Sequence, residues 1–133
     1  MKKFNLLACA IIISVTANSH ANNKELNARG IMCDRIEFDE LNTYSQEDLE
    51  ALYCSYKVGH KIADETMTKE ADKHKGTSAE IAILQRGIQT MELCSKPMIR
   101  ISDLLKRKYS GSTNIRCEKY KGYTSENQSK WIN

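Results

Sequence analysis

Four cysteines, Cys33, Cys54, Cys94 and Cys117, constrain this chain more than any other feature, because two cross-links among them would decide which segments can lie together. Whether they pair depends on compartment, since disulfides persist only where the surroundings are oxidising. Residues 1–21 carry the relevant signal. Lys2 and Lys3 precede an almost unbroken apolar run over residues 6–15, and Ser19-His20-Ala21 puts small residues where a signal peptidase reads. The run has about half of the roughly 20 apolar residues a membrane-spanning helix needs. Leu6-Leu7-Ala8-Cys9 has the look of a lipobox, yet Cys9 would precede most of the apolar region when it should follow it. The expectation is export to the periplasm with cleavage after Ala21 and no membrane insertion afterwards.

Cleavage removes Cys9 and leaves an even set of four cysteines, for which two disulfides are expected. A four-cysteine zinc site would ask for close pairs, whereas successive cysteines here are separated by about 20 to about 40 residues. Residues 22–133 suffice for one domain. The net charge of +3 falls close to neutral once Lys2 and Lys3 leave, so the basicity belongs mostly to the leader. Neither the one-sided positive charge of a nucleic-acid binder nor a glycine-rich phosphate loop is present.

Caps and periodicity predict an all-α chain, a small four-helix array stapled by two disulfides. Ser45 can cap a helix whose first turn holds Glu47 and Asp48, at the positive end of the helix dipole. Leu49, Leu52, Tyr53, Tyr56, Ala63 and Met67 then recur at helical spacing to about Ala71. Asp72-Lys73-His74-Lys75-Gly76 reads as a turn, and Thr77-Ser78-Ala79-Glu80 as a capping box opening the next helix. Ile81, Leu84, Ile88, Met91 and Cys94 would form its buried stripe, and Pro97 would stop it. A short helix from Ser102-Asp103, carrying Leu104, Leu105 and Tyr109, would end at a Gly111 cap. Leu26, Gly30 and Cys33 share a helical spacing near the start, and the tail from Glu118, with Tyr120, Tyr123 and Trp131, has no clear period.

The two long helices suggest a disulfide pairing. In an antiparallel hairpin, residues equidistant from the turn lie opposite each other, and Cys54 and Cys94 are equidistant from His74. Cys54 bonded to Cys94, with Cys33 bonded to Cys117, is therefore expected. The sequential pairing, Cys33 with Cys54 and Cys94 with Cys117, stays open.

No catalytic constellation stands out, and no cofactor or metal site is expected. His60 with Asp64, and Glu70 with His74, have i,i+4 spacing, which ordinary pairing on a solvated helix face also produces. The acids Glu37, Asp39, Glu40, Glu47 and Asp48 could include a carboxylate dyad, but acids around a helix start usually serve capping and solubility. Tyr53 and Tyr56 flank Cys54, and Gly59 follows inside the same helix, where glycine is costly unless something packs closely against it. Close helix packing is one reading of that face, and contact with a second subunit or a partner protein is the other.

This segment carries a resemblance. Cys54-x-Tyr56-x-x-Gly59, then Leu93-Cys94-x-x-Pro97, then Leu104-Leu105-x-x-x-Tyr109, is similar to the pattern of the Rap/Tai-type immunity proteins of bacterial type VI secretion, over roughly residues 25–117. Those proteins often have phenylalanine where Leu93 stands, and a longer stretch between the positions of Cys94 and Cys117. The resemblance implies a small helical periplasmic protein, often a homodimer, that binds and blocks a peptidoglycan-cleaving amidase delivered by neighbouring cells. An inhibitor of that kind occludes a groove with a protruding loop or helix. Lys73, His74 and Lys75 in the exposed turn, and Trp131 in the aromatic tail, are then the candidate contacts. A second class with the same outward features is the periplasmic acid-stress chaperone of the HdeA-like kind, which loses structure in acid and exposes apolar surface.

Overall fold

A computed structural model describes residues 23–110 and 114–119. The expected leader and Cys9 lie outside these residues, as do Gly111, Tyr120, Tyr123 and Trp131. Four helices follow in order: α1, Asn23–Ile31; α2, Phe38–Leu41; α3, Gln46–Lys73; and α4, Ser78–Tyr109, after which Cys117–Lys119 forms one 3-10 turn. There is no strand among the described residues. The chain is all-helical and closed by two disulfides, as expected, but most of the described residues lie in one long hairpin of α3 and α4 with α1 packed across its base.

Local chemistry explains most boundaries. Ser45 caps α3 by accepting from the Asp48 amide at 3.1 Å, and Glu47 and Asp48 sit in the first turn. The turn between the long helices uses Gly76 at φ +80°, a conformation costly for residues with a Cβ. Thr77 is the cap residue of α4, as the sequence suggested, although the capping box does not close. The Thr77 hydroxyl donates to the His74 carbonyl at 2.6 Å, and the Glu80 carboxylate reaches past Thr77 to the Gly76 amide at 2.6 Å.

Pro97 does not stop the helix. It lies inside α4, and the expected short helix after Ser102 is the continuation of the same element. A proline in a helix interior costs on the order of 3 kcal/mol. On its two sides, however, Cys94 is bonded to Cys33, and Ile101, Leu104 and Leu105 are buried in the core. Each such side chain contributes roughly 1.5–3 kcal/mol when removed from water, so together they outweigh the missing hydrogen bond. The helix ends on Ser110, which takes the left-handed conformation at φ 48°.

The core occupies the base of the hairpin. Ile36, Leu41, Leu49, Leu52, Tyr56, Cys94, Ile101, Leu104 and Leu105 form its main cluster. Tyr56 is fully buried, and its hydroxyl donates to the Asp34 carbonyl. Burial pushes this phenol well above its usual titration range. The Tyr56 side of the aromatic pair is thus core and not an outward docking face. Two glycines let the helices meet. A Cβ at Gly30 would run into that of Ser55, and one at Gly59 would run into the Ile31 carbonyl oxygen and stand 2.7 Å from Cys33 Sγ.

The disulfides are Cys33–Cys94 and Cys54–Cys117, with Cα–Cα separations of 4.8 and 5.5 Å. This corrects the expected pairing of Cys54 with Cys94 and Cys33 with Cys117, and excludes the sequential one. Gly87 meets Met67, and the Cys33 sulfur bonded to Cys94 lies over Gly59, so the register of the hairpin is displaced from one centred on His74. Cys54 precedes Gly59 by five residues, which moves it about 7.5 Å along the helix and turns it about 140° around the axis. There it faces Cys117, in a small cluster with Ile31, Val58 and Ile115.

Candidate functional site

Beyond the Cys33–Cys94 disulfide the hairpin continues as a two-helix arm. Between Gly59 and Cys94 only Ala71 is buried, so the arm has a seam between its helices and no third layer over it. Fourteen residues of α3 lie in it, a length of roughly 20 Å. At its tip Lys73, His74 and Lys75 are all exposed. Lys73 is paired with Glu70 at 2.7 Å, and that ammonium holds the Glu70 carboxyl below the usual range. Lys75 makes no ion pair among the described residues. The structure therefore places three of the four candidate contact residues together on one protruding turn, while the fourth, Trp131, lies outside the described residues.

Two clefts flank the α3–α4 seam. One, of about 460 Å³, has an apolar floor of Ile62, Ala63, Met67 and Ile83, with Glu70 and Arg86 among its lining residues. The other, of about 550 Å³, lies towards the base and is lined by Tyr53, Lys57, His60, Met98, Asp103 and Lys106 among others.

The titratable residues near the base are occupied with holding it together. The Arg29 guanidinium meets Glu40 at 2.6 Å and keeps its carboxyl below the usual range, and the Tyr44 hydroxyl donates to the same carboxylate at 2.6 Å. Burial first, and then this hydrogen bond, pushes the Tyr44 phenol up. Glu37 pairs with Arg35 and Asp48 serves the Ser45 cap. These acids do not converge on a shared dyad. Of the two acid-histidine spacings, His74 terminates α3 while Glu70 turns to Lys73, and His60 is half-buried beside an exposed Asp64. Among the described residues no group of three or more His, Cys, Asp or Glu side chains could hold a metal ion, and no helix is long and apolar enough to cross a membrane.

The largest departure from the sequence reading lies on α4. Ile81, Leu84, Ile88 and Met91 were expected to be buried, yet Ile81 is 61% and Ile88 51% exposed, and Leu84 and Met91 are only half-covered. Of the expected stripe Cys94 alone is buried, and the side of α4 turned to α3 carries it with Ile83, Gly87 and Ile101. Apolar residues run along two faces of this helix. Periodicity could register both, but only the disulfide and the Gly87–Met67 contact decide which turns inward.

The two disulfides suggest an oxidising compartment outside the cytoplasm. Comparison of the chain with protein-family models, with curated proteins and with solved structures finds no match.

Proposed function

We propose that this chain is a periplasmic inhibitor of the immunity type, which binds and neutralises a peptidoglycan amidase delivered by type VI secretion. The observation that carries the reading is the arm. A disulfide-stapled base presents a two-helix projection whose tip residues, Lys73, His74 and Lys75, are exposed together. A protrusion of this shape suits occlusion of an enzyme groove. The leader-like segment, the oxidised cysteines and the short Cys54-x-Tyr56-x-x-Gly59 and Leu93-Cys94-x-x-Pro97 patterns support the same reading.

The test is rescue. Cells expressing the chain in the periplasm should survive an amidase encoded beside its gene, and purified protein should inhibit that enzyme on isolated peptidoglycan. Lys73→Glu with Lys75→Glu should reduce inhibition at least tenfold while leaving the helical signal intact. Absence of protection against every neighbouring amidase, together with prevention of client aggregation at low pH, would favour the acid-stress chaperone instead.

A further inference from the structure

We propose that the apolar cleft along the arm, of about 460 Å³, binds a free fatty acid, with the carboxylate on Arg86 and the alkyl chain lying toward the base. This goes beyond the immunity reading and does not rest on it.

The cleft has the make-up of a small-molecule site, mostly apolar with a few polar groups to orient what enters it. Ile31 and Met32 line it at the base, and from Gly59 to Glu70 it follows α3 for roughly 16 Å. Ile62, Met67 and Ile83 are only half-buried and Met32 is 70% exposed. These side chains have an apolar neighbour on one side, and a bound chain would supply the other.

Charge enters at one end. Glu70 and Arg86 are the ionised side chains in the lining. Lys73 holds Glu70 at 2.7 Å, whereas Arg86 makes no ion pair among the described residues. Gly87 lies against Met67, which sets Arg86 in the half of the cleft nearer the tip. Helical side chains lean toward their own N-terminus, and α4 starts at the tip, so the guanidinium leans away from Ile31 and Met32.

A ligand that satisfies both ends has one negative head and one apolar chain. A carboxylate matches the guanidinium fork with two parallel hydrogen bonds. Glu70 stands at the same end and opposes a second negative charge, which disfavours a doubly ionised phosphate head. An extended alkyl chain advances roughly 1.25 Å per carbon, so about 12 carbons span the cleft. An extended protein segment would instead lay unpaired peptide groups on the apolar floor, at a desolvation cost an alkyl chain does not incur.

Isothermal titration calorimetry of the oxidised protein with laurate, kept below its micelle concentration, should show saturable one-to-one binding. Each buried methylene contributes about fourfold in affinity, so octanoate should bind weaker by about fiftyfold or more. Arg86→Gln should weaken laurate at least tenfold and leave dodecanol, the uncharged analogue, unchanged. Ala63→Phe, which fills the floor, should weaken both. Leu93→Glu, at a residue 59% exposed and outside the cleft, should change neither. Far-UV circular dichroism and disulfide mapping establish that each variant is folded. Lauroyl-lysophosphatidylglycerol separates a lipid headgroup from a free acid, and should bind less tightly than laurate. Absence of saturable laurate binding overturns the proposal. So do an Arg86→Gln protein of undiminished affinity, dodecanol binding as tightly as laurate, a preference for the lysophospholipid, or self-association through the cleft that Met67→Glu abolishes.

Discussion

Gly59 lies directly beneath Cys33: a Cβ at Gly59 would stand 2.7 Å from the Cys33 sulfur and run into the Ile31 carbonyl oxygen. The glycine is therefore the place where the end of α1, the body of α3 and the disulfide to α4 meet. Neither the backbone carbonyl nor a sulfur held by Cys94 can yield as a flexible side-chain tip would. Gly59→Ala gains about 1 kcal/mol of helix propensity, but overpacking typically costs roughly 1–3 kcal/mol. Here it acts on two rigid neighbours at once, so the balance should be destabilising by about 1–2 kcal/mol, measured as a lower denaturant midpoint under oxidising conditions.

The disulfide pairing is directly checkable. Proteolysis of the non-reduced protein should yield one peptide pair joining Cys33 to Cys94 and another joining Cys54 to Cys117. The bonded residues are 61 and 63 positions apart in sequence. Cross-links closing loops of that size contribute about 4 kcal/mol each in the chain-entropy model. Replacing Cys33 and Cys94 together by serine should lower stability by about 2–5 kcal/mol. The arm should respond most, because this bond ties α4 to the base at the level where the arm departs, and hydrogen exchange should show residues 60–93 losing protection first.

What the sequence reveals here and what it hides have the same source. The starts of α3 and α4 are written locally, in Ser45 and Thr77 with the acids that follow them, and both helices begin there. Gly76 announces its positive φ in the same way. The disulfide partners and the inward face of α4 are not local. They depend on a hairpin register set by Gly87 against Met67 and Gly59 under Cys33, contacts between residues far apart in the chain. Counting outward from His74 assumes a symmetric turn and misses that displacement. Pro97 misleads for a related reason, since tertiary burial of Ile101, Leu104 and Leu105 overrides its local preference. The tip residues Lys73, His74 and Lys75 are legible because a polar run ending in glycine is a local signal.

The Arg29–Glu40 pair gives the base a pH dependence of definite sign. Glu40 is held below its usual range in the folded protein, first by the Arg29 guanidinium and then by the Tyr44 hydroxyl. Its stabilising contribution is therefore complete above the unfolded carboxylate value, about 4.3, and disappears as pH falls through the lowered folded value. Both side chains are partly solvated, 29% and 38% exposed, so the contribution is about 1 kcal/mol or less. Glu40→Gln should be less stable than wild type at about pH 7 by that amount, with the difference vanishing near about pH 2 in urea titrations.

Pro97 offers a test of how α4 is held. An interior proline forgoes one backbone hydrogen bond and crowds the preceding turn, a cost on the order of 3 kcal/mol. Proline also restricts the unfolded chain, which returns about 0.4–1 kcal/mol when its φ suits the helix. If α4 persists through Pro97 only because Cys94 is bonded on one side and Ile101, Leu104 and Leu105 are buried on the other, the cost is still present in the native state. Pro97→Ala should then raise the stability of the oxidised protein by about 2 kcal/mol. In the protein lacking the Cys33–Cys94 bond the gain should be larger, because intrinsic helix propensity then has to hold the segment with less help. A double-mutant cycle on the unfolding free energies measures that coupling, and a Pro97→Ala variant less stable than wild type would mean that the backbone geometry set by the proline seats Ile101 in the core.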